Sequence, residues 1–458
     1  MASANKVMKL VLGVKDVVVE GVRIEESKAA FDSEPFRIVI DVRPCAKAGM
    51  RCQRCGRRCA GYDKDSKPKL WRSPDLNGIK TYLSYRRRRV LCPEHGVEYE
   101  AVPWAFPATS FTRHFTSLVA LLSMRLNRTA AAEMLRVNWR TAQSCVTRIL
   151  GHLEPDPRAR LRGLASIGID ETSYTKGHNY VTTVVNHDTG EVVWAAAGHD
   201  EKTLSGFFEE LTEEERASIR LVSGDAAAWI RKCVAKYCPG ARFCLDGFHA
   251  VQWAVESVDD VRREEWNAIR AGVRELDAKL KSLPADAPDS ERRRLQDSIG
   301  KARDEASRLK NTRYALGKNP ENLTPFQQQK LEFAVEASPR LARAHRLKEL
   351  ARLVFHSGSG EEARAMFKDF YWKATHSRLA PFRKLAHSYK EHLEEIINTV
   401  ESGLSNARIE AMNSKIKLMI RKAYGFQVIE NLLSTIMLGC SNLRIPLPNR
   451  NGFGMRAC

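Results

Sequence analysis

The sequence predicts a multidomain α/β protein carrying a large all-helical segment, and three observations point that way. Five cysteines (Cys45, Cys52, Cys55, Cys59, Cys92) crowd the first hundred residues. Short apolar runs ending in acids occupy residues 164–249. Residues 256–400 then become long, charged and patterned at helical spacing. A chain of 458 residues corresponds to about three structural units of roughly 150 residues. Its 43% apolar share is enough for real cores and excludes global disorder. Lys+Arg number 74 against 55 Asp+Glu, a net charge of +19, so the expected partner is a polyanion: nucleic acid or an acidic membrane. No apolar run approaches the ~18 residues that span a bilayer. Lys15 and Asp16 interrupt the first apolar stretch before a signal-peptide core could form. A soluble cytoplasmic protein is expected.

Residues 1–44 alternate apolar and polar positions, as in Phe36-Arg37-Ile38-Val39-Ile40, and predict a few strands. Cys52-x-x-Cys55 is followed, about 35 residues on, by Cys92-Pro-Glu-His95. Two ligand pairs on tight knuckles suit a closed tetrahedral Zn²⁺ site of the Cys₃His type, with Cys59 as a rival ligand. Leu70-Trp71, Tyr82-Leu83 and Tyr85 between them are expected to be strands of a zinc ribbon. Arg86, Arg87, Arg88 and Arg89 read as a phosphate-contacting edge, or else as a solvated basic strand. Residues 1–107 are thus expected to be N-terminal strands plus a zinc module.

Residues 108–160 are expected to hold a helix-turn-helix and a linker. Thr116–Leu126, Thr129–Leu135 and Trp139–Leu150 have helical spacing, broken by a turn at Arg136-Val137-Asn138. The last helix carries a polar and basic face that would enter a DNA major groove: Arg140, Thr141, Gln143, Ser144 and Arg148. Glu154-Pro155-Asp156-Pro157 reads as the linker.

From residue 161 to 255 the pattern is strand, hairpin, helix, strand, helix, strand. Asp170 closes the first apolar run, Asp225 follows a later one and Asp246 ends the next, while Glu410 lies on a remote amphipathic helix, Asn406–Lys422. An acid after a strand is commonly a helix cap. The order of these acids, however, resembles the ribonuclease-H-like fold of polynucleotidyl transferases. Clustered carboxylates repel unless a cation lies between them, and hard oxygen ligands suit Mg²⁺ or Mn²⁺. Asp246 and His249 form a D-x-x-H pair; Asp246 either caps a helix or orients His249 toward a phosphate.

With these motifs assembled, the chain resembles bacterial insertion-sequence transposases of the DDE type, in the family called ISL-three. The residues carrying the resemblance are Cys52-x-x-Cys55 with Cys92-Pro-x-His95; Gly168-Ile169-Asp170-Glu171 with Lys176-Gly177-His178-x-Tyr180; Asp246-Gly-Phe248-His249; Arg313-Tyr314; and Asn406-Ala-Arg-Ile409-Glu410-Ala-x-Asn413-x-x-Ile416-Lys417. The resemblance implies a catalytic triad of Asp170, Asp225 and Glu410 holding Mg²⁺ (or Mn²⁺), with Asp246 a rival second acid. It implies that residues 256–400 are a helical insertion and that 401–458 return to the catalytic core. It further implies binding to terminal inverted repeats and target double-stranded DNA, at least a homodimer on DNA, and a bacterial, nucleoid-associated location. A non-catalytic DNA-binding regulator and a nuclease without strand transfer are the alternatives.

Overall fold

The computed structural model describes residues 4–26, 35–177, 179–404, 407–447 and the backbone of 455–456. His178 and Asn406, which take part in the motifs above, and Cys458 lie outside the described residues.

The first element is α1 (Ala4–Leu12), followed by β1 (Val17–Glu26) and β2 (Phe36–Pro44). The opening of the strand-patterned region is therefore helical. Met8 and Leu12, one turn apart, both pack on the core formed by Val17, Val19 and Ile40. Next come β3 (Ala60–Lys64), β4 (Lys69–Leu76), β5 (Ile79–Tyr85), β6 (Arg88–Cys92) and β7 (Gly96–Tyr99). They divide between two sheets. One has the order β1-β2-β5-β4, with β2 and β5 parallel. The other is the antiparallel β3-β6-β7 ribbon. Leu70-Trp71 and Tyr82–Tyr85 thus do not form ribbon strands, contrary to the sequence expectation. Trp71, Leu83 and Tyr85 are buried with Trp104 in the core of the first sheet, and burial of that aromatic surface outweighs their proximity to the cysteines in sequence.

Three helices follow: α2 (Arg113–Arg125), α3 (Arg128–Leu135) and α4 (Trp139–Leu153). Each starts on a side-chain cap. Thr112 accepts from Phe115 N, Asn127 from Ala130 N and Asn138 from Arg140 N. Arg136 closes α3 in the left-handed region at φ 53°, which makes the turn into Asn138. These helices do not stand apart. Val119, Val146 and Ile149 share one core with Val181, Val185, Ile409, Ile416 and Ile436 from the rest of the chain.

The central sheet is built from β8 (Ser166–Thr175), β9 (Asn179–Asn186), β10 (Glu191–Ala197), β11 (Leu221–Gly224) and β12 (Arg242–Leu245). Its order is β10-β9-β8-β11-β12. β8, β9 and β10 run as an antiparallel meander, while β11 is parallel to both β8 and β12. Gly190, at φ +72°, makes the β9–β10 turn. Between the strands lie α5 (Glu201–Glu210), α6 (Glu213–Ser218) and α7 (Ala228–Tyr237). Asp170 does not end its strand as expected but sits in the middle of β8. The hairpin with β9 continues to Thr175–Asn179, whereas pairing with β11 stops at Gly168.

The helical part comprises α8 (Gly247–Ser282), α9 (Asp289–Lys310), α10 (Arg313–Gly317), α11 (Pro325–Ala337), α12 (Pro339–Val354), α13 (Gly360–Thr375), α14 (Ala380–Glu391) and α15 (Leu393–Ser402). α8 begins directly at the end of the sheet and runs unbroken past residue 256, so the expected division there falls inside one helix. Phe367, Phe370, Phe382 and Tyr389 fill a core separate from the one beneath the sheet. The chain then returns through α16 (Ala407–Lys422) and α17 (Ile429–Gly439) to the sheet, before a short β13–β14 pair (Arg444–Ile445 with Met455–Arg456). No described helix is long and apolar enough to cross a membrane.

Candidate active site and DNA interface

Parallel registration lines up three acids. Leu221 pairs with Ser166 and Arg242 with Leu221, so continuing each register places Asp170, in mid-β8, level with Asp225 and Asp246, which directly follow β11 and β12. Neighbouring strands lie about 4.8 Å apart, which puts Asp225 centrally between the other two. α16 brings in the fourth acid. Gly168 has no side chain where Ile409 of α16 lies, and Asn413, one turn beyond Glu410, donates to Asp170 Oδ2 and accepts from Thr172 Oγ1 at 3.1 Å. Those contacts set Glu410 on the sheet's acidic end.

The electrostatics are those of gathered carboxylates with one cationic neighbour, His249. Burial raises Asp170 to about 6, with Asp246 and Asp225 adding to the shift against a hydrogen bond from Glu171 N and the charge of His249. Burial, then the charges of Asp225 and Asp170, lift Glu171 to about 8. Glu410 is raised by burial and by Asp246. His249 is also raised, to about 9, which favours its charged form, chiefly by its hydrogen bond to Asp246. The structure shows the cap and, beside it, a contact between Asp246 and the His249 ring. Asp246 Oδ1 caps α8 by accepting from Phe248 N at 2.9 Å, while Oδ2 lies 2.7 Å from His249 Nδ1. Asp225 Oδ1 accepts from Ala227 N at 2.8 Å.

Sequence reasoning gave no role to Glu171 or Asn413. Their signals were adjacency to Asp170 and an i, i+3 spacing from Glu410, which puts Asn413 on Glu410's helix face.

The cysteine site is compact. The ligand atoms of Cys52, Cys55, Cys92 and His95 all lie within 4.8 Å of one another, the one such group of His, Cys, Asp and Glu among the described residues. Cys92 Sγ is 3.5 Å from His95 Nδ1 and 3.6 Å from Cys55 Sγ. Burial opposes ionisation of Cys92, but hydrogen bonds from the His95 side chain and from the Glu94 and His95 backbone bring it down to about 6. A thiol prepared in this way suits a metal ligand. Cys59 lies outside this group, packed against Cys52 and Cys92 with its Sγ 3.3 Å from Arg57 O.

The basic residues separate into two kinds. Arg87 pairs with Asp65 and stacks on Tyr99, and Arg89 pairs with Asp63 across the β3–β6 ribbon. Arg86 and Arg88 are exposed. On α4, Arg140 and Ser144 are exposed and Thr141 is half-buried, but Gln143 is only 9% exposed and its Nε2 donates to Asn431 O at 3.3 Å. Arg148 donates to Pro107 O at 2.9 Å. The polar face of α4 is not free on all sides. It forms one wall of a cleft of about 1150 Å³ whose other wall is the 423–428 segment after α16.

Comparison with known proteins agrees with this arrangement. Residues 167–436 match a family model described as transposase, specific to the ISL-three group, and residues 48–95 match the zinc-finger of the transposases of IS204, IS1001, IS1096 and IS1165. The transposase for insertion sequence element IS1557 from two strains of Mycobacterium tuberculosis is 39% identical over 97% of this chain and 98% of its own length. The transposase for insertion sequence element IS1001 of Bordetella parapertussis is 25% identical over 87% of this chain and 91% of its own. The chain belongs to the ISL-three family of DDE transposases.

Proposed function

We propose that this protein is a working DNA transposase that binds the terminal inverted repeats of an insertion sequence and carries out strand cleavage and strand transfer. The single observation that carries this reading is the registration of Asp170, Asp225 and Asp246 across adjacent parallel strands, with Glu410 held against them by Ile409 and Asn413. The strand order, a three-strand antiparallel meander extended by two parallel strands, supports a ribonuclease-H-like core. The cap-turn-cap sequence from Arg136 to Arg140 supports a helix-turn-helix within 108–160.

Asp170, Asp225 and Glu410 are the residues to hold Mg²⁺ or Mn²⁺. Half-buried carboxylates, with Asp170 raised by burial, Asp246 and Asp225 and with Glu410 raised by burial and Asp246, are a donor set that a hard divalent cation relieves. When bound, that cation supplies activation of the attacking oxygen and stabilisation of the leaving one. The second role goes to Asp225, which follows β11 next to Asp170 on β8, while Asp246 caps α8 and holds His249. His249, kept protonated by Asp246, supplies positive charge toward a scissile phosphate. Asn413 holds the Asp170 carboxylate in orientation. Each step is an in-line displacement at phosphorus: water attacks first and breaks the P–O3′ bond, freeing the element's 3′-hydroxyl, which then attacks a target phosphodiester and displaces the target's 3′-oxygen as a hydroxyl.

Structural Zn²⁺ on Cys52, Cys55, Cys92 and His95 would supply the folding free energy of a ribbon whose own core is only Cys52, Val90 and Cys92 with Met50 and Cys59 against it. Exposed Arg86 and Arg88 are the residues offered to duplex phosphates at the ends, while Arg140 and Ser144 face the cleft beside α4. Coordinated cutting of two ends implies at least a homodimer on DNA. A strand-transfer assay with labelled ends, taken from DNA flanking the gene, tests the proposal. End binding without cleavage would make the protein a regulator, and cleavage without joining would make it a nuclease.

A further inference from the structure

The cleft between α4 and the 423–428 segment has features that duplex recognition does not use. Two exposed aromatic rings stand on opposite walls: Trp139 at 40% and Tyr424 at 82% exposure. Tyr424 is held at φ 53°, a left-handed conformation that bulky residues rarely adopt, and Gly425 follows at φ 94°. That conformation closes α16, with Tyr424 N donating to Arg421 O at 3.1 Å and Gly425 N to Ile420 O at 3.1 Å, and it leaves the Tyr424 ring in solvent. Between the walls lies Arg128. Its guanidinium sits 4.1 Å from the Phe426 ring centroid, and its buried Nη2 has no hydrogen-bond partner among the described residues. Three arginines (Arg128, Arg140, Arg148) against one glutamate (Glu133) give the lining a positive balance.

These features favour one occupant. A recognition helix reads duplex DNA by entering a groove about 12 Å wide, which requires its polar face to stand clear. The polar face of α4 is instead walled by 423–428. In a duplex, moreover, the base faces are covered by their neighbours and cannot meet Trp139 or Tyr424. Unpaired bases have free faces, and aromatic stacking with arginines along the backbone is how single strands are held.

Position connects the cleft to the acids by two routes. Thr175, which lines it, lies five strand residues beyond Asp170, about 17 Å along β8. Lys422, where the wall segment begins, lies about 18 Å along α16 from Glu410 at a rise of ~1.5 Å per residue. A strand leaving the cleft therefore reaches the acidic end of the sheet within a few nucleotides.

We propose that this cleft binds a single-stranded stretch of DNA at the element's end, stacking unpaired bases on Trp139 and Tyr424 and pairing a phosphate with exposed Arg140. The inference rests on the transposase reading and adds the form of DNA that the site takes. The test uses the full chain, a fluorescent oligo-dT of about ten nucleotides, within the usual single-strand site size, and a duplex of the terminal repeat. Tyr424→Asn removes the ring while placing a residue that tolerates positive φ. It should weaken oligo-dT binding about tenfold, the scale of one lost stacking contact, and leave duplex binding within about twofold of wild type, since no duplex contact is assigned to this ring. Trp139→Ala, on the opposite wall, should lower oligo-dT affinity to a similar degree. Unchanged oligo-dT binding in both variants, or an equal loss on oligo-dT and duplex for Tyr424→Asn, overturns the proposal. If oligo-dT binding depends on Tyr424 but the terminal duplex is neither bound nor cut, the cleft assignment stands and the transposase reading fails.

Discussion

Placing a methyl group at Gly168 should misalign the active site without touching any acid. A Cβ built there falls inside the van der Waals envelope of Ile409 Cδ1, and lies 2.9 Å from both Ile409 Cγ1 and His187 Nε2. Ordinary carbon contacts begin at about 3.5–4.0 Å, so relieving Cγ1 alone requires a retreat of up to roughly an ångström. Ile409 is 1% exposed and His187 is tied to Ser223 Oγ at 2.7 Å, which leaves α16 as the part that moves. Glu410 and Asn413 move with it. A misplacement of about 1 Å can cost 10²-fold in rate, so Gly168→Ala should slow single-turnover cleavage about a hundredfold. Overpacking of this kind also destabilises by about 1–3 kcal/mol.

A double-mutant cycle separates this cause from general damage. Ile409→Val removes Cδ1 and alone should cost about 0.5–1.5 kcal/mol. Combined with Gly168→Ala it should recover part of the lost rate and stability, a coupling that independent sites do not show. The assays are end cleavage under single turnover and thermal melting of the same preparations. Strictly additive losses, or wild-type cleavage by Gly168→Ala, would refute the seating of α16 by this contact.

Four further outcomes are expected. Cys52→Ser should lose bound zinc by elemental analysis while Cys59→Ser retains it; equal zinc in both variants would move the ligand set. Asp170→Asn, Asp225→Asn and Glu410→Gln should each lower cleavage by orders of magnitude with end binding intact in gel shifts, and wild-type turnover by Asp225→Asn would pass its role to Asp246. Alanine at Arg86 and Arg88 should weaken binding to end and random DNA about equally and flatten the salt dependence, whereas alanine at Arg87 or Arg89 should act through loss of the Asp65 and Asp63 pairs. His249 stays charged until about pH 9, so its contribution to the cleavage rate should fade as pH rises through that value; Asp246→Asn should move that fading down toward the ordinary 6.5. A pH–rate profile identical in wild type and Asp246→Asn would separate His249 from the reaction.

What could be read from the sequence was local. The ligand pairs Cys52-x-x-Cys55 and Cys92-x-x-His95 show themselves because each knuckle is closed within four residues. Asn138 marks the start of α4 because a cap needs only its own next turn. Acids after apolar runs point to one end of the sheet because strands in parallel register share that end. Two of the misreadings involve what lies across from a residue. Asp170 is mid-strand because the β9 hairpin is longer than the parallel pairing with β11. Arg87 and Arg89 are engaged because β3 sets Asp63 and Asp65 opposite them.

The same limit governs the function of α4. Periodicity reports that Arg140, Gln143 and Ser144 share a polar side, and polar sides commonly face water or DNA. Gln143 meets a backbone carbonyl 288 residues away, and Asp170 meets Asn413 across 243 residues. Helical spacing carries no trace of contacts at such separations, since a side chain's direction along its own element is independent of which distant element covers it. The return of the chain through α16 therefore does two things that no local pattern foretells. Its first turn completes the acid cluster with Glu410, and the segment after its last turn walls the polar face of α4 into a cleft. A shift of this one helix would alter both together, so Gly168→Ala should also change oligo-dT affinity in the cleft, whereas Asp225→Asn, which lies on the sheet alone, should not.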